Sequence, residues 1–136
     1  MASVVSELQG IKIMENDELT HDVISCAIEV HKILGPGLLE SAYEQCLLFE
    51  LRQQGITALP QVQLPVLYKG NEIDAGYRLD IIIPNQLIIE LKAVDKVMPI
   101  HHAQILTYMK LAKINKALLI NFNVTRLVGG VKRFIL

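Results

Sequence analysis

The stretch "DIIIPNQLIIELK", Asp80 to Lys92, decides the fold, because it sets three charged side chains into an otherwise nearly unbroken apolar run. Its two apolar halves are separated by "PNQ" at 84–86, which predicts an antiparallel pair of strands joined by a turn. A buried charge costs on the order of several kcal/mol unless a partner compensates it. The stretch therefore raises the question of what compensates Asp80, Glu90 and Lys92.

The turn length fixes which residues of the two strands oppose each other. A three-residue loop at 84–86 pairs Ile83 with Leu87, and the same register places Asp80 directly opposite Glu90. Directly opposed residues of an antiparallel pair point to one face, with Cβ atoms about 5 Å apart, and period two adds Lys92 to that face. A loop of two or four residues would shift the pairing and separate the acids.

Two carboxylates at this separation repel each other, so without a partner one of them takes up a proton. Lys92 can neutralise only one of the two. A hard divalent cation would neutralise the remainder, because Mg²⁺ favours one or two carboxylates, a carbonyl oxygen and several waters. Leu91 could offer that carbonyl. The alternative is a salt bridge between Lys92 and one acid, with the other acid solvated at the end of its strand.

The rest of the chain alternates between helical and strand periodicity. Apolar spacing predicts helices over 18–34 and 38–54, with "GPG" at 35–37 ending the first. We expect the second helix to face inward through Leu39, Ala42, Cys46 and Phe49. A third helix is predicted after Pro99, with Ile105, Met109 and Ala112 inward.

Strands are predicted over 57–68, 71–83, 87–93, 116–122 and 131–136. The first contains prolines, which suit a bent or edge strand, and the fourth is apolar enough to be buried on both faces. The order α-α-β-β-β-α-β-β predicts an α/β or α+β mixed fold with a central mixed β-sheet flanked by helices. We expect a loose lead-in over 1–17 and a single domain over 18–136.

Composition is consistent with one intracellular domain. The chain has 136 residues, of which 51% are hydrophobic, enough for one substantial core. No apolar run approaches the ~20 residues of a membrane helix, and no signal peptide is evident, so we expect a cytoplasmic protein without membrane contact. Cys26 and Cys46 stand alone on apolar helical faces, which indicates core residues and not a disulfide or zinc site.

Charge is distributed unevenly along the chain. Residues 1–85 carry five Lys/Arg against twelve Asp/Glu, a balance of −7, whereas residues 86–136 carry eight against two, a balance of +6. With His101 and His102, the cations of the second part could line a surface for a polyanion. Alternatively, the two halves could face each other across the fold or a dimer. The cations in question are Lys96, Lys110, Lys113, Lys116, Arg126, Lys132 and Arg133.

Polar side chains also share one face of the helix after Pro99. His101, Gln104 and Tyr108 are spaced i, i+3 and i+7, so together they could orient phosphates or a water. Each alone is more typical of a helix surface. Glu40 lies in the first turn of the second helix, where the helix dipole by itself stabilises a carboxylate.

Several of these segments resemble a known family. "GLLESAY" at 37–43 is similar to the pattern that names the GxxExxY protein family, and "DIII" at 80–83, "ELKAV" at 90–94 and "HHAQILTYMKL" at 101–111 also resemble it. The resemblance covers nearly everything from residue 20 onward. The family belongs to the PD-(D/E)XK nuclease-like superfamily, so a restriction-endonuclease-like αβββαβ core is implied. The "RLD" that ends at Asp80 lacks the proline of the superfamily name.

The resemblance implies metal-dependent phosphodiester hydrolysis, with DNA as the expected substrate. Under it, Asp80, Glu90 and the Leu91 carbonyl would hold Mg²⁺ or Mn²⁺, and Lys92 would orient the attacking water and stabilise the charge of the transition state. Glu40 would hold a water or a second ion. Gln104 and Tyr108 would steady Lys92 or the phosphate backbone.

The sequence is also compatible with other functions. The chain could be a binding module that keeps the nuclease fold without efficient catalysis of its own. No added domain is evident to grip a duplex, so a homodimer or a partner protein could complete the site. "LGPGLLE" could also offer a helix N-terminus to a nucleotide phosphate, but it lacks the Lys and Ser of a phosphate loop.

Overall fold

The computed structural model describes residues 10–136, with side chains from Glu18 onward. The helices are α1 (Gly10–Leu34), α2 (Glu40–Gln53) and α3 (Pro99–Ala112). The strands are β1 (Leu59–Gln63), β2 (Val66–Tyr68), β3 (Asn71–Ile73), β4 (Arg78–Ile83), β5 (Leu87–Lys92), β6 (Lys116–Asn121) and β7 (Val131–Ile135). Residues 1–9 of the predicted lead-in lie outside the described residues, and α1 begins at Gly10, earlier than the expected start at 18.

The described strands form a five-stranded mixed sheet in the order β1-β4-β5-β6-β7. β5 and β6 run parallel because α3 connects them, and the other neighbours are antiparallel. β1 lies at an edge, where its proline does not interrupt a ladder on two sides. The mixed sheet with flanking helices confirms the predicted α/β architecture.

The segment 71–83 does not form the single strand predicted for it. β2 and β3 make a separate two-stranded hairpin, closed by Lys69 and Gly70 at φ 50° and 81°, as in a type I′ turn. The Asp74 carboxylate then accepts the N–H of Gly76 at 2.9 Å, a local turn that redirects the chain before β4. As a result β1 pairs with β4, and the β2–β3 hairpin stands apart from the main sheet.

The inward face predicted for α2 is wrong at Leu39 and Phe49, whereas Ala42 and Cys46 are half-buried and Cys46 packs against the core. Leu39 is 78% exposed and Phe49 is 59% exposed. The buried positions are Tyr43, Glu44, Leu47, Leu48 and Leu51. The ring of Tyr43 stacks on Phe122 with centroids 4.4 Å apart, and burying a large aromatic ring turns this side of the helix to the core.

Helices cover both faces of the sheet. Leu87, Ile89 and Leu91 of β5 pack in one buried cluster with residues of α1 and α2, whereas Ile88 packs in a second cluster with Ile105 and Met109 of α3. β5 is therefore buried on both sides, and β6 is buried along its whole length, as predicted.

The remaining compositional predictions concern cysteines and membranes. Cys26 is buried and Cys46 half-buried, and both are free thiols, which agrees with their predicted place as core residues without a disulfide between them. Within residues 10–136, no helix has the length and apolar character needed to cross a bilayer.

Candidate active site

The β4–β5 hairpin has the predicted register. Ile83 pairs with Leu87, Ile82 with Ile88 and Ile81 with Ile89. Asn85 adopts a φ of 64° in the turn, and the N–H of Gln86 donates to the carbonyl of Ile83 at 2.9 Å. The three-residue loop therefore directs Asp80 toward Glu90, one step beyond the paired residues.

At Asp80 and Glu90 the regular ladder is replaced by bonds between side chains and main chain. The N–H of Asp80 donates to Oε2 of Glu90 at 2.9 Å, and the N–H of Leu91 donates to Oδ2 of Asp80 at 2.8 Å. Each carboxylate thus accepts a main-chain hydrogen bond from the opposite strand. This reciprocal arrangement holds both acids at one end of the hairpin.

The carbonyl of Leu91 points toward the end of the hairpin where the two acids lie. The N–H of Phe122 donates to the carbonyl of Lys92 at 2.9 Å, so that carbonyl points away from β4. Because main-chain groups of successive strand residues point to opposite sides, the Leu91 carbonyl points toward β4 and Asp80. An oxygen without charge therefore accompanies the two carboxylates.

Burial makes the acid pair costly to ionise. Glu90 is only 7% exposed, and burial followed by the charge of Asp80 raises its pKa to about 8. Burial also raises the pKa of Asp80, although the Leu91 N–H and the charge of Lys92 oppose that rise. Lys92, half-buried at the end of β5, lowers the pKa of both acids without cancelling the effect of burial. The pair therefore retains a proton at neutral pH or requires a further positive charge.

α3 contributes Tyr108 to this region. Burial raises the pKa of the Tyr108 phenol, and so do the charges of Glu90, Tyr77 and Asp80, which places Tyr108 within electrostatic reach of the acids. Its ring lies 6.0 Å from the ring of Tyr77. Gln104, one turn earlier on α3, is exposed.

His101 does not extend this row of polar side chains into the site. Its side-chain Nδ1 accepts the main-chain N–H of Met98 at 3.0 Å, and the main-chain N–H of His101 donates to the Met98 carbonyl at 2.9 Å. The imidazole therefore caps the start of α3, because it accepts one of the main-chain donors that a helix N-terminus leaves without a partner.

α2 brings Glu40 toward the site through the loop between α1 and α2. Glu40 is exposed in the first turn of α2, and after burial and Asp80 its charge also raises the pKa of Glu90. The Tyr43 hydroxyl donates to the Gly35 carbonyl at 2.6 Å and accepts the N–H of Leu38 at 3.1 Å. Tyr43 thereby fixes the loop from which Glu40 emerges.

Two further residues at the site were missed by the sequence analysis. Glu44 is 8% exposed on α2, and Nε2 of Gln61 lies 2.7 Å from Oε1 of Glu44 and 3.5 Å from Oδ1 of Asp80. The i, i+4 spacing of Glu40 and Glu44 could have indicated Glu44. We find no sequence signal that would have indicated Gln61.

The segment that follows Lys92 is held by Asn121 at the end of β6. The Asn121 side chain accepts the N–H of Val94 at 3.1 Å and donates to the Val94 carbonyl at 2.8 Å. Asn123 donates to Asp95 at 3.1 Å. These bonds fix the direction in which the chain leaves the site toward α3.

Only some of the cations predicted to line a polyanion surface are exposed. Lys96, Arg126 and Arg133 are exposed. Lys116 is 8% exposed, so its inclusion among the cations that could line a polyanion surface is wrong. It begins β6, a strand that is buried throughout.

The donor set fits a hard divalent cation. Among the described residues, no three or more His, Cys, Asp or Glu side chains are grouped to hold a metal ion. The candidate ligands are therefore two carboxylates and one main-chain carbonyl, a combination that suits Mg²⁺ or Mn²⁺ together with water. A cation there would replace the proton that Glu90 otherwise keeps.

A mixed sheet between helices, with two acids and a lysine at one end of its central hairpin, defines the restriction-endonuclease-like class of folds. A family model described as the PD-(D/E)XK nuclease superfamily matches residues 17–134, which is most of the chain. The chain therefore belongs to the PD-(D/E)XK nuclease superfamily, whose members generally use divalent metals. No curated protein and no solved structure gives a significant match to it.

Proposed function

We propose that this protein is a divalent-metal-dependent nuclease that hydrolyses phosphodiester bonds in DNA. The main support is the pair of half-buried Asp80 and buried Glu90, in which each acid accepts a hydrogen bond from the other strand and the pKa of Glu90 is raised to about 8. A pair this costly to ionise is typical of a functional site, because fold stability alone favours apolar residues there.

The roles follow from the contacts of each group. The two carboxylates and the Leu91 carbonyl would hold Mg²⁺ or Mn²⁺, which when bound polarises the scissile phosphate and lowers the pKa of a water. The charge of Lys92 lowers the pKa of both acids, and its ammonium would orient the attacking water and stabilise the negative charge that develops on the phosphate.

The surrounding side chains are assigned to substrate and water. Tyr108 would steady Lys92 or the phosphate backbone, and Gln104, exposed on the same helix, would contact the backbone. Glu40 would hold a water or a second ion at the rim. The exposed cations Lys96, Arg126 and Arg133 would contact phosphates, which positions nucleic acid without selecting a sequence.

Within the superfamily, we propose that the chain is of the GxxExxY type. Gly37 has a φ of 98°, and the two hydrogen bonds of Tyr43 close the loop that precedes Glu40. These contacts give the motif a physical purpose, since its glycine and tyrosine set the position of its acid. Three further points stay predictions. They are a single domain over 18–136, a cytoplasmic location, and a second copy or a partner protein that completes the site.

The test is a cleavage assay with the purified protein and a Lys92→Ala control. Linear and circular DNA, single- and double-stranded, and RNA are incubated with Mg²⁺, Mn²⁺ or EDTA. We expect cleavage of DNA that requires the metal and is lost in Lys92→Ala. Cleavage that persists in the variant would indicate a contaminant. No cleavage together with tight, salt-dependent binding would instead support a binding module without efficient catalysis.

A further inference from the structure

β1 is irregular at the residue that faces Asp80. The strand pairs with β4 through Pro60 and Ile81 and again through Val62 and Leu79, but the intervening Gln61 and Asp80 are not paired. Gln61 has a φ of 51°, in the left-handed region that residues with a Cβ rarely adopt. Strain of this kind persists only where surrounding contacts impose it, and it clusters at functional sites.

The strained backbone directs the Gln61 side chain between two carboxylates. Its Nε2 lies 2.7 Å from Oε1 of Glu44, a short hydrogen bond, and 3.5 Å from Oδ1 of Asp80, a long one. An amide NH₂ carries two hydrogens and can donate to both oxygens. Gln61 therefore links α2 to the acid on β4.

Glu44 is poorly placed for stability alone. It is 8% exposed on the buried side of α2, where an apolar residue would fit the neighbouring Leu47 and Leu48. A buried carboxylate is unfavourable unless it is bonded, and its bonding partner is Gln61. This placement is understandable if Glu44 serves to hold the Gln61 amide in position.

We propose that Gln61, anchored by Glu44, is a positioning residue that fixes the Asp80 carboxylate for a divalent cation. Oδ2 of Asp80 accepts the Leu91 N–H while Oδ1 faces the Gln61 amide, so the two contacts together set the plane of the carboxylate. The inference rests on the proposed metal-dependent function, since it concerns how that site is organised.

The first test compares Gln61→Met with Gln63→Met. Methionine keeps the length of the side chain but donates no hydrogen bond. Gln63 is a matched control, because it is an exposed glutamine on the same strand and pairs with Arg78, away from the acids. We expect Gln61→Met to raise the Mn²⁺ dissociation constant, measured by electron paramagnetic resonance, and the half-saturating metal concentration for cleavage by about 10-fold. Gln63→Met should leave both unchanged.

The second test asks whether Glu44 acts through Gln61. Glu44→Gln keeps an acceptor for the Gln61 amide and should retain Mn²⁺ affinity close to the wild type. Glu44→Leu should weaken Mn²⁺ binding as much as Gln61→Met, and the double variant Gln61→Met/Glu44→Leu should be no weaker than either single one. Glu44→Leu should also unfold at the same or a higher temperature in EDTA, whereas a merely structural role predicts a lower one.

The outcomes separate this inference from the proposed function. If the wild type binds Mn²⁺ and Gln61→Met binds it equally well, the positioning role is wrong and the nuclease proposal stands. If the wild type neither binds Mn²⁺ nor cleaves, both are wrong. Additive losses in the double variant would exclude the role of Glu44. Gln61→Gly, which relieves the positive φ and also lacks the amide, replaces Gln61→Met if that variant does not fold.

Discussion

The two ends of the β4–β5 hairpin differ sharply although they belong to the same pair of strands. At the turn end, Ile81–Ile83 pair with Leu87–Ile89 in a regular ladder of aliphatic side chains, all of them buried except the half-buried Ile82. At the open end, the Glu90 carboxylate accepts the N–H of Asp80, the Asp80 carboxylate accepts the N–H of Leu91, and Gln61 interrupts the neighbouring strand.

This difference indicates that the two ends of the hairpin have different roles. The aliphatic ladder stabilises the fold, because each buried side chain is removed from water and a slipped register would expose the whole set. The acid pair does the opposite, since its burial is unfavourable without a proton or a cation. The turn end therefore holds in place a pair of acids that would otherwise separate.

The largest effect is expected from removing the carboxylate of Glu90 at the open end of the hairpin. Glu90→Gln keeps an acceptor for the Asp80 N–H, so the hairpin should fold, but it removes a charge from the candidate metal site. We expect the rate of metal-dependent DNA cleavage to fall roughly 10³-fold. The measurement is initial rate at saturating Mg²⁺ beside the wild type, with circular dichroism to check folding. A folded variant that cleaves at the wild-type rate would remove Glu90 from the site.

The second prediction concerns the pH dependence of stability in the metal-free protein. The folded protein keeps Glu90 protonated up to about pH 8, whereas the unfolded chain releases that proton near the usual value of 4.5. The contribution of protonated Glu90 to the free energy of unfolding is therefore complete below the pKa of the unfolded chain, and it is lost as pH rises toward the pKa of the folded protein. Mg²⁺ should raise the free energy of unfolding more at the upper end of this range, because it takes the place of the proton.

The quantity to measure is the difference in free energy of unfolding between wild type and Glu90→Gln, from urea titrations in EDTA. Glutamine mimics the protonated acid at every pH, so contributions from other groups cancel in the difference. We expect the wild type to lose stability relative to the variant by up to about 1.4 kcal/mol per pH unit as pH increases. A difference that does not change with pH would mean that Glu90 is ionised in the metal-free fold.

The sequence predicts the turn end of the hairpin better than the open end. The register follows from the three-residue loop and period two, and it places Ile81, Ile83, Leu87 and Ile89 on one side. Those rules are local. The positive φ of Gln61 instead accompanies contacts with Glu44 and Asp80, which are distant in sequence. A local sequence pattern therefore does not predict this backbone conformation.

The same limit explains the error on α2. Leu39, Ala42, Cys46 and Phe49 have helical spacing, and so does the face that is actually buried around Tyr43. The choice between two such faces depends on the stacking of Tyr43 against Phe122, which comes from the far end of the chain. Tyr43 appeared in the sequence analysis only as part of a motif, whereas its hydroxyl fixes the loop before Glu40.

A smaller effect is expected from loosening the loop between α1 and α2. This loop belongs to neither end of the β4–β5 hairpin, but it positions Glu40 near the open end. Tyr43→Phe leaves the stacked ring and removes the hydroxyl that bonds the Gly35 carbonyl and the Leu38 N–H. We expect a loss of about 1–2 kcal/mol in the free energy of unfolding, measured in urea, and a modest decrease in cleavage. Tyr68→Phe, at an exposed tyrosine of the β2–β3 hairpin, is the matched control and should change neither quantity.

The smallest effect is expected at the turn end itself. Ile89 is fully buried and pairs with Ile81, so Ile89→Val removes one methyl group from the ladder and should cost about 0.5–1.5 kcal/mol. Cleavage at saturating Mg²⁺ should stay at the wild-type rate, because valine keeps the register that positions Glu90. Ile135→Val, at an exposed isoleucine of the edge strand β7, should leave both stability and cleavage unchanged. If Ile89→Val instead lowered cleavage while stability held, the ladder would be tuning the acid pair directly, and the two ends of the hairpin could no longer be assigned separate tasks.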